Sequence, residues 1–122
     1  MLRVFLVDDE RAVRENLRDT VPWNQWGFEV AGEAGDGEMA LALIRKTRPD
    51  VLITDIRMPF VDGIELLKTI NERGLCRCVL LLSEFAEFNY AKEGILNGAF
   101  DYILKPVDEI KIREALTGSM RF

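Results

Sequence analysis

Acidic, hydroxyl and ammonium side chains recur in this chain at one kind of position, the carboxyl end of a short apolar run. Val4-Phe5-Leu6-Val7 ends in Asp8-Asp9, and Val51-Leu52-Ile53-Thr54 ends in Asp55. Cys78-Val79-Leu80-Leu81-Leu82 ends in Ser83, and the run from Phe100 to Leu104 ends in Lys105. Brought together, the three aspartates repel. At ~4.5 Å and an effective dielectric of ~20, each pair costs on the order of 4 kcal/mol. A proton or a cation must relieve that repulsion. Lys105 offsets part of it, and a hard divalent ion such as Mg²⁺ does so better. A carboxylate beside Mg²⁺, a hydroxyl and an ammonium is an arrangement for phosphoryl transfer. In it Asp55 attacks phosphorus to form an acyl phosphate. Mg²⁺ and Lys105 neutralise the transferring group, and Ser83 donates a hydrogen bond to it.

Each residue also has a plainer reading. Asp8 or Asp9 could cap a following helix. Asp55 could be a turn residue before Pro59, Ser83 a helix cap, and Lys105 a solvated lysine before Pro106. Each of these accounts for one residue; none accounts for four run-ends carrying complementary chemistry.

The elements that position these residues follow from hydrophobic periodicity. Continuous apolar runs suit strands buried on both faces. Between them lie amphipathic stretches with helical spacing. The first, Arg11 to Val21, carries Val13, Leu17 and Val21. The second is capped by Asp36 and runs through Thr47. The third carries Ile64, Leu67 and Ile70 and closes at Gly74. The fourth, Phe85 to Asn97, carries Phe88, Ala91 and Ile95 on one stripe. The last starts at Asp108 and runs through Leu116. Phe28 to Ala34 is the second strand, and Glu29 and Glu33 mark it as an edge. Strict strand–helix alternation predicts an α/β fold: one doubly wound, five-stranded parallel sheet with helices on both faces. In such sheets ligands bind beyond the strands' carboxyl ends. In the flavodoxin-like order 2-1-3-4-5 the first and third strands are neighbours, so Asp8, Asp9 and Asp55 share a crevice. Trp23 and Trp26 fall in a loop at the opposite end of the sheet. Thr117 to Phe122 lose the periodicity, as a frayed helix end or the start of a linker would.

Composition narrows the function classes. The chain has 122 residues, 48% of them hydrophobic and 30% charged, which is the make-up of one globular domain. Its formal net charge of −5 speaks against direct nucleic-acid binding. The longest apolar run, Met39 to Ile44, is far short of a membrane span. Met1-Leu2-Arg3 leads quickly into charge rather than into a signal peptide, so a cytoplasmic location is expected. The chain contains no histidine, which removes Ser-His and Cys-His catalysis. Cys76 and Cys78 read as two reduced thiols.

With these residues in view, the chain resembles a bacterial response-regulator receiver domain over nearly its whole length. The matching segments are Val7-Asp8-Asp9-Glu10, Asp55-Ile56-Arg57-Met58-Pro59 with Asp62-Gly63, Ser83, Gly98-Ala99-Phe100-Asp101-Tyr102, and Lys105-Pro106. The resemblance implies a phosphorylation-activated switch rather than a conventional enzyme. It implies that Asp55 accepts the phosphoryl group from a sensor histidine kinase. It also implies that Asp9 and Asp55 hold Mg²⁺ directly, Asp8 mainly through water, and Arg57 through its carbonyl. Ser83 and Lys105 would contact the phosphoryl group, across a cis Lys105–Pro106 peptide. Ser83 and Tyr102 would form the switch that remodels the face made by the fourth helix, fifth strand and fifth helix. A phosphorylation-dependent homodimer through that face is a further expectation. Ser83 stands where many members carry Thr. The Arg57 side chain could reach the phosphate or hold Glu10 or Glu84.

Pro22-Trp23, Gly27-Phe28-Glu29-Val30, Gly32-Glu33-Ala34 and Asp36-Gly37, with Phe85, Glu87-Phe88 and Tyr90-Ala91-Lys92, are similar to receivers joined to AraC-type helix-turn-helix domains. That resemblance implies a receiver over residues 1–118, a linker beginning at 119–122, and a transcriptional output domain beyond. Three other classes differ in testable ways. A flavin binder would be yellow, but the acids after the first strand repel its phosphate. An aspartyl phosphatase would turn over phosphomonoesters, but its second Asp lies two residues after the first. A pseudo-receiver has no need of the full set of acids and Lys105.

Overall fold

The computed structural model describes residues 1–84 and 87–119. Strands and helices alternate as β1 (Leu2–Val7), α1 (Arg11–Thr20), β2 (Phe28–Ala34), α2 (Gly37–Thr47), β3 (Val51–Asp55), α3 (Gly63–Arg73), β4 (Cys78–Ser83), α4 (Phe88–Leu96), β5 (Asp101–Leu104) and α5 (Glu109–Ser119). A short 3₁₀ turn, Trp23–Trp26, leads into β2. The five strands form one parallel sheet, as the alternation predicts, in the flavodoxin-like order β2-β1-β3-β4-β5.

Burial explains that order. Every residue of β3 and β4 is buried, whereas β2 and β5 keep exposed or half-buried positions. Strands without a polar face must be central, and those with one can take the edges. Alternate residues of each strand feed separate cores. Phe5, Val7, Leu52, Val79 and Leu81 pack with Ile44 of α2, Leu66, Leu67 and Ile70 of α3, and Ala91 of α4. Val4, Leu6, Ile53, Leu80, Leu82 and Ile103 pack on the other face with Leu17 of α1 and Ile112, Ala115 and Leu116 of α5.

Local sequence sets the helix ends. Asp36 accepts a hydrogen bond from the Met39 N–H (2.7 Å), Asp62 from Glu65 (2.9 Å), and Asp108 from Lys111 (2.8 Å). These are side-chain N-caps of the ordinary kind. Neither Asp8 nor Asp9 caps α1; its N-cap is Glu10, without a side-chain cap bond.

Expectations for four elements shift. α1 stops at Thr20, with Val21 buried just beyond it. α4 begins at Phe88, and Phe85 lies outside the described residues. Its buried positions are Ala91 and Gly94, while Phe88 and Ile95 are 58% and 38% exposed. The reason is space: a Cβ on Gly94 would come 2.2 Å from a Leu81 methyl, so α4 lies against β4 through its small residues and turns its large ones outward. β5 starts at Asp101, with Phe100 left partly exposed. α5 continues past Leu116 to Ser119, and residues 120–122 lie outside the described part.

Candidate functional site

β1, β3, β4 and β5 deliver Asp8, Asp55, Ser83 and Lys105 to the same end of the sheet. The register makes them converge, since Val7 pairs with Thr54, Asp55 with Leu82, and Ser83 with Leu104. Asp8, Asp55 and Ser83 are 1%, 4% and 1% exposed. The Lys105 ammonium lies 3.1 Å from Asp8 Oδ2, 3.4 Å from Asp55 Oδ2 and 3.8 Å from Glu10 Oε1. The Asp8, Asp9 and Glu10 carboxylates each place an oxygen within 4.8 Å of the other two. Asp55 stands outside that trio and joins it through Lys105. The crevice read from the strand ends is therefore present, with Glu10 as an added acid.

The backbone around Asp55 is tightly held. Its carbonyl accepts from the Thr54 hydroxyl (3.0 Å). The Ile56 N–H donates to Leu82 O, and the Gly63 N–H to Ile56 O at 2.7 Å. A Cβ on Gly63 would come 2.2 Å from Asp55 O, so only glycine lets α3 start this close to the acid. Lys105 is held from both sides of its turn. Its N–H donates to Ser83 O (2.7 Å), and the following Lys105–Pro106 peptide is cis. Lys111 Nζ then donates to Leu104 O (3.1 Å) and Pro106 O (2.9 Å).

Burial dominates the electrostatics. It pushes the Asp55 carboxyl up to about 7, with the charge on Asp8 adding to the effect and Lys105 opposing it. Asp8 is raised by burial as well, against the lowering influence of the Glu10 N–H and Lys105. Burial alone would lower the Lys105 ammonium, but Asp55 and Asp8 hold it above its ordinary value.

The acids fit a hard divalent ion. Asp8 Oδ1 accepts from the Glu10 N–H (2.9 Å), but Asp8 Oδ2 is buried with no directed hydrogen bond, only the ion contact to Lys105. A buried carboxylate oxygen with a free lone pair, beside two exposed carboxylates, is an all-oxygen donor set of the kind Mg²⁺ takes.

The flanking residues are also placed. The Ser83 hydroxyl donates to Glu84 O (3.0 Å). Tyr102 is half-buried and packs against the core beneath α4 rather than lying open on its edge strand. Arg57 holds neither Glu10 nor Glu84. It donates to the Tyr90 hydroxyl (3.1 Å), its guanidinium lies 4.9 Å above the Tyr90 ring, and Nε is 3.8 Å from Glu87. Glu87 is buried and accepts from the Glu84 N–H (3.0 Å). The sequence named Glu10 in the acidic segment but not as a member of the acid cluster, and it gave no sign of Lys111, Glu87 and Tyr90 as site neighbours. Glu10 adjoins the acid pair and was open to notice; the other three depend on how α4 and α5 dock. Trp23 is buried at the far end, with its indole N–H on Leu17 O (2.9 Å).

The family model for the response regulator receiver domain matches residues 4–117. The chain belongs to that family. Among relatives, this receiver domain is 42% identical over 117 residues to the transcriptional regulatory protein HptR of Staphylococcus aureus, covering 95% of this chain and 45% of that protein. It is 42% identical over 116 residues to an uncharacterized response regulatory protein of Staphylococcus epidermidis, with the same coverage of 95% and 45%. The receiver thus spans about half the length of the curated relatives it matches. Among solved structures it is similar to the receiver domain of AraT, a response regulator from Geobacillus stearothermophilus. That match has a TM-score of 0.89 and 38% identity, over 97% of this chain and 92% of that one. It is also similar to a two component transcriptional regulator AraC from Clostridium phytofermentans, with a TM-score of 0.84 and 34% identity, over 99% and 93%. Among the described residues, no helix is long and apolar enough to cross a membrane.

Proposed function

We propose that this receiver domain takes a phosphoryl group onto Asp55 from the phosphohistidine of a sensor kinase, with Mg²⁺ as its cofactor. The carrying observation is a buried Asp55 carboxylate with the Lys105 ammonium 3.4 Å away and a second buried aspartate on the same ammonium. An Asp55 oxygen attacks phosphorus as the phosphorus–nitrogen bond breaks. The leaving electron pair stays on the donor imidazole, which takes up a proton. Lys105 moves its ion contact from the Asp55 carboxylate to the phosphoryl oxygens, so charge is compensated before and after transfer. The Ser83 hydroxyl gives up Glu84 O and turns to a phosphoryl oxygen, and Tyr102 packs into the space behind it. Asp8, Asp9 and Asp55, with the Arg57 carbonyl, would hold the metal. Mg²⁺, when bound, supplies positive charge against the phosphoryl oxygens.

We assign the receiver to residues 1–119, up to the end of α5 rather than to 118, and infer an AraC-type helix-turn-helix output domain in the full-length protein. The likeness to the two regulators named above supports that assignment. The reading places the protein in the cytoplasm, acting on transcription, with DNA contacts made by the output domain. Exposed Leu96, Leu104 and Ile110, on α4, β5 and α5 in turn, support a phosphorylation-dependent homodimer through that face.

The test is intact mass after incubation with acetyl phosphate and Mg²⁺, beside Asp55→Asn and a metal-free control. One added phosphoryl group, absent from both controls, is the expected result. No addition with acetyl phosphate or with a phosphorylated kinase would overturn the reading in favour of a pseudo-receiver.

A further inference from the structure

One cation near the acid crevice has no part in the chemistry above. Arg14 lies one helical turn into α1, and its side chain is only 17% exposed. Its Nη1 donates to the Asp8 carbonyl oxygen at 2.7 Å. That carbonyl belongs to the peptide joining Asp8 to Asp9, just beyond the last β1 residue paired in the sheet. The peptide's orientation sets where the Asp9 carboxylate emerges.

The guanidinium is itself fixed from two further sides. Its Nε lies 3.3 Å from Glu33 Oε1 on the edge strand β2. The other Glu33 oxygen takes Arg18 Nη1 at 2.8 Å, so one carboxylate anchors two arginines of α1. Gly35 forms the third side, since a Cβ there would come 3.2 Å from Arg14 Nη1. Residues of β2 and the loop after it thus surround the α1 guanidinium that holds one backbone carbonyl of the acid loop. An arginine fork held in this way fixes direction as well as charge, which a lysine ammonium does not reproduce.

We propose that Arg14 is a positioning residue for metal binding: through the Asp8 carbonyl it presets the peptide that aims the Asp9 carboxylate. The inference rests on the Mg²⁺ reading of the acid crevice. Positioning and simple electrostatics predict opposite signs. A nearby cation that acted only by charge would repel Mg²⁺, so removing it would tighten binding. A cation that orients a ligand weakens binding when it is lost, typically by about tenfold.

The experiment is calorimetric titration of the 122-residue chain with MgCl₂, with thermal melting of each variant as a check on folding. Arg14→Lys keeps the charge and loses the fork; its Mg²⁺ Kd is expected to rise about tenfold. Arg18→Lys shares Glu33 but not the Asp8 carbonyl, and its Kd is expected to stay within about twofold of the parent. Gly35→Ala leaves every charge in place and crowds the guanidinium, so it should weaken binding as Arg14→Lys does. It also serves if Arg14→Lys does not fold. An unchanged Kd in both Arg14→Lys and Gly35→Ala, or tighter binding in Arg14→Gln, would overturn the proposal. Absence of Mg²⁺ binding by the parent chain would instead overturn the metal reading itself.

Discussion

Asp55→Asn should make the metal-free receiver more stable at pH 8 and leave it unchanged near pH 4. Folding raises the Asp55 carboxyl from its ordinary 3.8 to about 7, chiefly by burial and then by the charge on Asp8. Below pH ~4 the group is protonated in folded and unfolded chains alike, so it contributes nothing. Between pH ~4 and ~7 the folded chain holds a proton that the unfolded chain has released, and stability falls as pH rises. Above pH ~7 the whole cost is present: at ~1.4 kcal/mol per pH unit it reaches about 4 kcal/mol. Asparagine is neutral throughout and removes that cost. It also loses the ion contact of Asp55 with Lys105, but Lys105 keeps Asp8 at 3.1 Å. The net gain should therefore be about 2 to 4 kcal/mol at pH 8. Urea unfolding in EDTA at several pH values measures it. With a slope of roughly 2 kcal/mol per molar, the midpoint of Asp55→Asn should move up by about 1 to 2 M at pH 8. Saturating Mg²⁺ should shrink the difference by stabilising the parent alone. A variant no more stable than the parent at pH 8, or a gain equal at pH 4 and pH 8, would refute the claim that buried charge at Asp55 opposes folding.

Three other outcomes follow from the same geometry. Gly63→Ala forces a Cβ to within 2.2 Å of the Asp55 carbonyl, so thermal melting should show a loss of roughly 1–3 kcal/mol, and acetyl phosphate labelling should slow with it. Tryptophan fluorescence should respond little to Mg²⁺, because Trp23 sits beside the start of β1, about 20 Å along the strand from the acids; a strong quench abolished by Asp9→Ala would contradict that. Sedimentation should show self-association with a beryllofluoride phosphoryl mimic and none in Leu96→Glu, since Leu96 is the most exposed apolar residue of α4.

What could be read in advance followed the physics of each element. β3 and β4 are buried on both faces, so their apolar runs mark both their limits and their central place. Asp36 and Asp108 were legible as caps because an N-cap acts within three residues of chain. The acid, hydroxyl and ammonium at four strand ends were legible because a parallel sheet sends all carboxyl ends one way. In α4 the expected stripe of Phe88, Ala91 and Ile95 holds only at Ala91, and the second buried position is Gly94, while Phe88 and Ile95 face outward. Periodicity identifies a stripe but not the room available beneath it, and β4 leaves space for small residues only. The Arg57 partners were hidden for the same reason. Tyr90 and Glu87 reach Arg57 only once α4 is set on the sheet, thirty or more residues along the chain.

That placement of α4 gives Arg57 a double attachment. Its backbone belongs to the loop that follows Asp55, and its side chain grips Tyr90 of α4 and Glu87, the N-cap residue of that helix. Glu87 in turn accepts from the N–H of Glu84, the residue after Ser83. Asp55 and Ser83 are thus connected twice, across the crevice and around it through Arg57 and Glu87. The Ser83 hydroxyl bonds the Glu84 carbonyl while Glu87 holds the Glu84 N–H, so Arg57 and Glu87 brace the residue on which Ser83 rests. Arg57→Ala should loosen that hold and speed labelling by acetyl phosphate, while leaving the Asp8, Asp55 and Lys105 contacts intact. A labelling rate that fell instead would mean that the Arg57 side chain assists transfer itself, rather than bracing Glu84 beside Ser83 through Glu87.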